Sequence, residues 1–267
     1  MKIEEQKDTH EIEVRSLTAG YGSNVVLENI SFEVRKGEIF VIIGGSGCGK
    51  TTLLKHMIGL LPPMAGDVLI KGESIVKADW DEKRKIMRHF GVLYQTGALF
   101  GSLSLMENIA LPLEEYSDYP ARKIKEIVRE KLRLVSLDGA EKLMPSELSG
   151  GMRKRAGLAR ALALDPEILF FDEPSTSLDP LTAASLDELI MGIRKDLGTT
   201  IVIVTHELDS IFTISDRIIV LDKDTKGIIA EGKPYDLRDR SPDLKVREFL
   251  NRAGLSRKMP ASSMELT

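Results

Sequence analysis

The chain has 267 residues, 42% apolar and 29% charged, with 37 basic against 41 acidic side chains and a formal net charge of -4. That suits one large or two small globular domains, and the near balance of charge gives no electrostatic footprint for nucleic acid. The single cysteine, Cys48, excludes an intrachain disulfide, and no apolar run approaches the roughly 18 to 20 residues of a membrane span.

The start, Met1-Lys2-Ile3-Glu4-Glu5, is charged and unlike a signal peptide, so the expectation is a protein neither secreted nor membrane-spanning by itself. Ile12, Val14 and Leu17 then give a strand pattern. Thr18-Ala19-Gly20-Tyr21-Gly22 reads as a turn carrying an aromatic, and residues 25–34 as a second strand. Arg35-Lys36-Gly37-Glu38 turns the chain into the apolar run Ile39-Phe40-Val41-Ile42-Ile43, so an antiparallel layer precedes a buried strand. Gly44, Gly45, Ser46, Gly47, Cys48, Gly49, Lys50, Thr51 and Thr52 follow, and a helical pattern runs on to Leu60. Strand, glycine-rich turn and helix N-terminus make a phosphate cradle. The glycines let successive N–H groups point at one anion. Lys50 reaches the β- and γ-phosphates, and the Thr51 hydroxyl ligates a bridging Mg²⁺. The spacing GxxxxGK[ST] over residues 44–51 makes the chain a binder of a nucleoside triphosphate. Cys48 has two readings: a thiol whose pKa falls at a helix N-terminus and serves as a redox switch, or a small residue that fits the loop. The second is favoured.

Beyond Pro62-Pro63, residues 68–73 suggest a short hairpin, 81–89 a polar helix and 90–95 a strand. From residue 96 to about 164 helical spacing takes over, through Ile124, Ile127, Val128, Leu132 and Val135 and a helix over 152–164, as a mainly helical insert. Ile168-Leu169-Phe170-Phe171 resumes the pattern of a buried parallel strand. Leu186, Leu189, Ile190, Ile193 and Leu197 mark an amphipathic helix, and residues 199–205 another buried strand. Residues 218–221 and 227–230 form a hairpin pattern. Ser241-Pro242-Asp243 predicts a helix start with Ser241 as N-cap, Leu244, Val246, Phe249 and Leu250 on its apolar side, and Gly254 as its stop. Residues 255–267 are expected to be disordered without a partner.

Two further constellations carry chemistry. Asp172-Glu173 ends a buried strand, where a carboxylate beside a phosphate loop holds Mg²⁺; Asp172 suits the ion, through water, and Glu173 the general base. Leu148-Ser149-Gly150-Gly151-Met152 opens a helix, with Ser149 as N-cap and two glycines exposing backbone N–H groups at the positive end of the dipole. One nucleotide loop and a second phosphate-binding end suggest that two copies of the chain share each nucleotide.

Over about residues 11 to 235 the sequence resembles the ABC-transporter ATPases. Residues 44–51 match their Walker A, 168–173 their Walker B and 148–152 the LSGGQ signature, with Met152 in place of glutamine. Gln95 fits the Q-loop, Ser177-Leu178-Asp179 the D-loop, His206 the switch histidine and Tyr21 the A-loop aromatic. The resemblance implies an α/β P-loop (RecA-like) fold: a mostly parallel sheet, an antiparallel β-layer and an inserted helical subdomain. It divides the chain into an ATPase domain over 1–240 (core 1–95 and 165–240, helical subdomain 96–164) and a C-terminal extension over 241–267. It implies ATP with Mg²⁺, Tyr21 stacked on adenine, and Gln95 touching both Mg²⁺ and the attacking water. His206 would contact the γ-phosphate, and Asp179 would cross a homodimer interface. Ser149, Gly150 and Gly151 would bind the nucleotide of the other copy.

Met152, the segment Gln95-Thr96-Gly97-Ala98-Leu99-Phe100 and the run Met152-Arg153-Lys154-Arg155 narrow the resemblance to the ATPases of the Mla phospholipid-transport system and its Mce-associated relatives. That implies an MlaE-type permease, an Mce-domain lipid-binding protein, in some systems a STAS-domain partner, and a peripheral place on the cytoplasmic face of the inner membrane. In that group a C-terminal extension reaches across the dimer; the helix after Ser241 fits this or packing on its own core. The alternatives are a polar-solute importer ATPase, which shares all of these motifs, and a soluble ABC ATPase. Against the soluble class stand the single phosphate loop and the lack of sustained heptads.

Overall fold

The computed structural model describes residues 10–256. Six strands form the central sheet: β3 (Ile39–Gly44), β6 (Phe90–Leu93), β7 (Ile168–Asp172), β8 (Thr200–Val204), β9 (Arg217–Asp222) and β10 (Gly227–Gly232). Their order is β10-β9-β3-β8-β7-β6, and every pairing is parallel except that of β10 with β9. The inner strands β3, β7 and β8 are buried at every position and mostly apolar because both faces are covered. Period-two alternation splits each between two cores. Ile39, Val41 and Ile43 face one, with Leu169, Phe171, Ile201 and Ile203. Phe40 and Ile42 face the other, with Ile168, Phe170, Val202 and Val204.

The second core is closed by an antiparallel sheet in the order β2-β1-β4-β5, from β1 (His10–Tyr21), β2 (Asn24–Arg35), β4 (Ala65–Ile70) and β5 (Glu73–Ser74). Here the expected turn at residues 18–22 is corrected. β1 runs to Tyr21, because the pairs Ala19–Leu27, Gly20–Val25 and Tyr21–Asn24 extend the ladder to a tight reversal at Gly22. Between the two sheets lies α1 (Lys50–Met57), which buries Leu53, Leu54 and Met57.

Between β6 and β7 the chain forms α3 (Leu105–Tyr116), α4 (Ala121–Leu134) and α5 (Gly150–Ala161), with α2 (Trp80–Met87) just before β6. Ser104 and Glu107 close a capping box on α3, and Asp79 and Glu82 close one on α2. Boundaries shift from expectation here. Asp79 caps α2, which runs one residue early from Trp80 to Met87, β6 stops at Leu93, and α5, capped by Ser149, runs from Gly150 to Ala161. α5 lies hard against β6: a Cβ at Gly157 would meet Leu93 Cδ1 at 2.8 Å and Gly97 O at 2.9 Å. The first core is completed by α6 (Pro180–Leu197), α7 (Leu208–Ile214) and the C-terminal pair α8 (Pro234–Arg240) and α9 (Leu244–Ser256).

α8, opened by Pro234 at its first turn, is a helix that no local pattern predicts. It claims Ser241, whose N–H donates to Leu237 O at 3.1 Å, so Ser241 ends α8 rather than starting the next helix. Asp243 caps α9 instead, its Oδ1 accepting from Lys245 N at 2.8 Å, and the helix passes Gly254. Of residues 255–267, for which disorder was expected, Leu255 and Ser256 instead continue α9, and 257–267 lie outside the described residues. Val246 and Leu250 of α9 are fully buried in the chain's own core, whereas Leu244 is 63% exposed, off the packed face. Leu250→Ala is therefore expected to cost about 2–5 kcal/mol in urea unfolding, and Leu244→Ala no more than about 0.5 kcal/mol.

Candidate active site

β3, β8 and β7 are adjacent in that order, so their carboxyl ends, where ligands bind in open α/β sheets, deliver three loops to one place. The loop after β3 makes the phosphate cradle. Gly49, the N-cap of α1, has φ 104°, a conformation closed to most residues, and no side chain caps the helix. The first turn of α1 therefore keeps its N–H groups for an anion. Gly44 has no room for a side chain either, since a Cβ would meet Leu221 O at 2.5 Å and Cys48 Sγ at 2.6 Å. Lys50 Nζ donates to Gly44 O at 3.0 Å and stands 4.0 Å from Glu173 Oε1.

The loops from β7 and β8 bring the carboxylates and the histidine. Thr51 Oγ1 donates to Asp172 Oδ1 at 3.0 Å. Burial pushes the Asp172 carboxyl above its ordinary pKa; Glu173 adds to this, while the Thr51 hydrogen bond, Lys55 and Lys50 oppose it. Glu173 follows at φ 51°, in the left-handed region. Its carboxylate is gripped from two sides: His206 Nδ1 lies 2.9 Å away and Thr176 Oγ1 donates to Oε2 at 3.1 Å.

One cavity of about 800 Å³ is lined by Tyr21, Gly44, Gly45, Ser46, Gly47, Gly49, Lys50, Thr51, Thr52, Gln95, Glu173 and His206. Tyr21 stands at its rim, 47% exposed, with its hydroxyl 3.3 Å from Thr52 Oγ1. Two expected members are placed elsewhere. Asp172 lies behind Thr51, off the cavity wall. Cys48 turns its side chain into the core at 2% exposure, and its N–H donates to Gly45 O at 3.3 Å. Burial, the largest influence, raises the thiol pKa despite Lys50, in line with the favoured reading of Cys48 as a small residue that fits the loop: a core position outweighs the helix N-terminus.

The signature residues do not join this cavity. Ser149 Oγ accepts from Met152 N at 3.2 Å, and Gly150 and Gly151 form the first turn of α5. Gly150 lines a separate cavity of about 530 Å³ with Thr96, Ser177 and Leu178, and Gln95 lines both. Asp179 caps α6 within its own chain, accepting from Leu181 N at 3.1 Å and Thr182 N at 3.0 Å. Sequence reasoning missed Leu208 and Phe249, which line the nucleotide cavity. Phe249 registered only as part of an apolar helix face, and no motif marks a residue brought to the cavity by tertiary packing alone.

A family model described as ABC transporter matches residues 27–176. The chain belongs to the ABC transporter ATPase family. It is 42% identical over 239 residues to the intermembrane phospholipid transport system ATP-binding protein MlaF of Haemophilus influenzae, covering 90% of this chain and 89% of that one. To MlaF of Escherichia coli K12 it is 39% identical over 247 residues, covering 92% and 91%. The probable ribonucleotide transport ATP-binding protein mkl of Mycobacterium leprae is 45% identical over 240 residues; these are 90% of this chain but 68% of that one. Among solved structures, a dimeric ATP-binding cassette in a post-hydrolysis state with ADP and phosphate superposes at TM-score 0.75 and 30% identity, covering 83% of this chain and 98% of that one. As a member of this family the chain is an ATP-hydrolysing transporter subunit with the P-loop fold.

Cys48 should resist maleimide in the folded protein at neutral pH and label fully after guanidinium unfolding, as read by mass spectrometry. Because the Asp172 pKa is raised in the fold, the native state holds its proton more tightly than the unfolded chain. Stability from this group is thus full below the unfolded value of 3.8 and falls as pH rises through the folded value. Asp172→Asn removes that fall, so the ligand-free variant should melt at or above the parent temperature at pH 7.

Proposed function

We propose that the chain powers phospholipid transport at the cell envelope, as one half of an ATPase homodimer bound to a membrane permease. The observation that carries the shared-site reading is the division of phosphate-binding parts. One cavity gathers Lys50, Thr51, Glu173 and His206, while the glycine end of α5 lies outside it. A second copy, turned head to tail, would bring its Ser149, Gly150 and Gly151 to the γ-phosphate, with Asp179 at the interface. The dimeric neighbour with ADP and phosphate supports that arrangement.

Within each site Tyr21 stacks on adenine, and the backbone N–H groups of residues 44–52 and Lys50 bind the phosphates. Thr51, Asp172 and Gln95 supply hydroxyl, carboxylate and amide oxygens, the hard donors that suit Mg²⁺, and a buried carboxylate with a raised pKa gains from a cation beside it. When bound, the ion offsets phosphate charge. Glu173 takes a proton from water as its oxygen bonds the γ-phosphorus and the bond to the bridging oxygen breaks, leaving ADP and phosphate. His206, 2.9 Å from the Glu173 carboxylate, orients that base and meets the γ-phosphate.

The lipid reading is supported by likeness to MlaF across nine tenths of both chains, and by Met152 and the segment after Gln95. It brings an MlaE-type permease, an Mce-domain lipid-binding protein, a STAS-domain partner in some systems, and a peripheral place on the cytoplasmic face of the inner membrane. It brings no nucleic acid. The domain division at residues 95, 164 and 240 belongs to the same reading. Among the described residues no helix is long and apolar enough to cross a membrane, so the permease would supply the path. A second reading, a polar-solute importer, is favoured by the name of the mycobacterial relative.

Glu173→Gln in the permease complex is expected to lower ATP turnover by about 10²- to 10⁴-fold; undiminished turnover removes the catalytic assignment. Deleting the chain should change the lipid distribution between envelope membranes. Loss of a polar solute's uptake with lipid distribution intact selects the second reading.

A further inference from the structure

We propose that Lys154 is a positioning residue for hydrolysis: from the helix whose glycine end faces the partner's nucleotide, its ammonium fixes the backbone that carries Glu173. This rests on the reading of Glu173 as general base. Lys154 sits in the second turn of α5, only 5% exposed, and its Nζ donates to Glu173 O at 3.1 Å. An ammonium is costly to bury, and a charge-assisted bond to a fixed carbonyl offsets part of that cost. Burial draws its pKa down, while the carboxylates of Glu173 and Asp172 push it back up.

The carbonyl it holds belongs to a residue that needs holding. At φ 51° Glu173 is in a region unfavourable for a side chain of its size, and such a conformation persists only where its surroundings over-determine it. Glu173 N–H donates to Val204 O at 2.8 Å, from β8, and Glu173 O also accepts a long bond from Thr176 N at 3.4 Å. Among these restraints, Lys154 alone comes from α5. Gly157 seats α5 against β6 three residues further on, so Lys154 and the N-terminal Gly150 and Gly151 are held in one rigid helix. Engagement of that end by the partner's nucleotide would reach this copy's Glu173 through one bond. Lys154 thus joins the two sites of the dimer without touching either nucleotide.

The test compares Lys154→Met, Lys154→Arg and Glu173→Gln in the full-length protein with its permease, by steady-state ATPase and thermal unfolding. Lys154→Met keeps the volume but removes the charge and leaves Glu173 O short of a donor, so its melting temperature should fall modestly. It should lower kcat by about 10- to 100-fold, the scale of a small misplacement of a reacting group, with KM for ATP within about twofold. Lys154→Arg restores most of the loss. Lys154→Gln, uncharged but still a donor, gives the same comparison if the methionine variant does not fold. The proposal is overturned if Lys154→Met keeps the parent kcat, if KM rises as far as kcat falls, or if arginine rescues nothing. Those results with an inactive Glu173→Gln remove Lys154 alone; an active Glu173→Gln removes the parent reading of the base.

Discussion

The hydrogen bond from Thr51 to Asp172 joins the start of α1, the helix that follows β3, to the end of β7. β3 and β7 are separated by β8, yet this 3.0 Å contact bridges them. Everything at the site is arranged about that junction. The phosphate loop stands on one side, Glu173 on the other, and the loop from β8 carries His206 between them. A parallel sheet makes this possible because all three strands release their loops at the same edge. The raised pKa of Asp172 marks what the arrangement costs in the ligand-free protein. A cation beside it would turn that cost into binding energy, so fold stability and ligand affinity are linked at one carboxylate.

α5 connects this junction to the rest of the molecule. Its N-terminus is capped by Ser149 and carries two glycines, its second turn reaches the backbone of Glu173, and its third is pressed onto β6. These contacts follow the helical period, so one rigid rod meets three different parts of the machine. Gln95, just past the end of β6, lines both the nucleotide cavity and the neighbouring cavity beside Gly150. The segment between β6 and β7 thus reaches the nucleotide site at two points, through Gln95 and through the bond from Lys154 to Glu173.

The C-terminal helices add a third input. α9 buries Val246 and Leu250 in the first core and puts Phe249 on the cavity wall, while Lys245 bonds Asp222 at 3.2 Å and Asp224 at 2.8 Å on the β9–β10 hairpin. The exposed ion pairs contribute little to stability, and the buried side chains hold the helix in place. Within the described residues this segment belongs to its own chain's core.

The sequence by itself determined what local rules can reach. Six buried runs and a strict GxxxxGK[ST] spacing fixed the strand and phosphate-loop positions, because both depend on neighbours within a few residues. Asp172-Glu173 as the end of a buried strand was legible for the same reason, as was Ser149 as a cap. Tertiary structure decided the rest. It extended β1 through Tyr21 because a partner strand was there to pair with. It put the Cys48 thiol in the core rather than at the phosphates, and gave Ser241 to the end of α8. It brought Phe249 to the cavity and Lys154 to Glu173 across a separation of 19 residues. Local chemistry states which groups a residue offers; only the packed chain decides which of them meet, since burial and distance are properties of the whole.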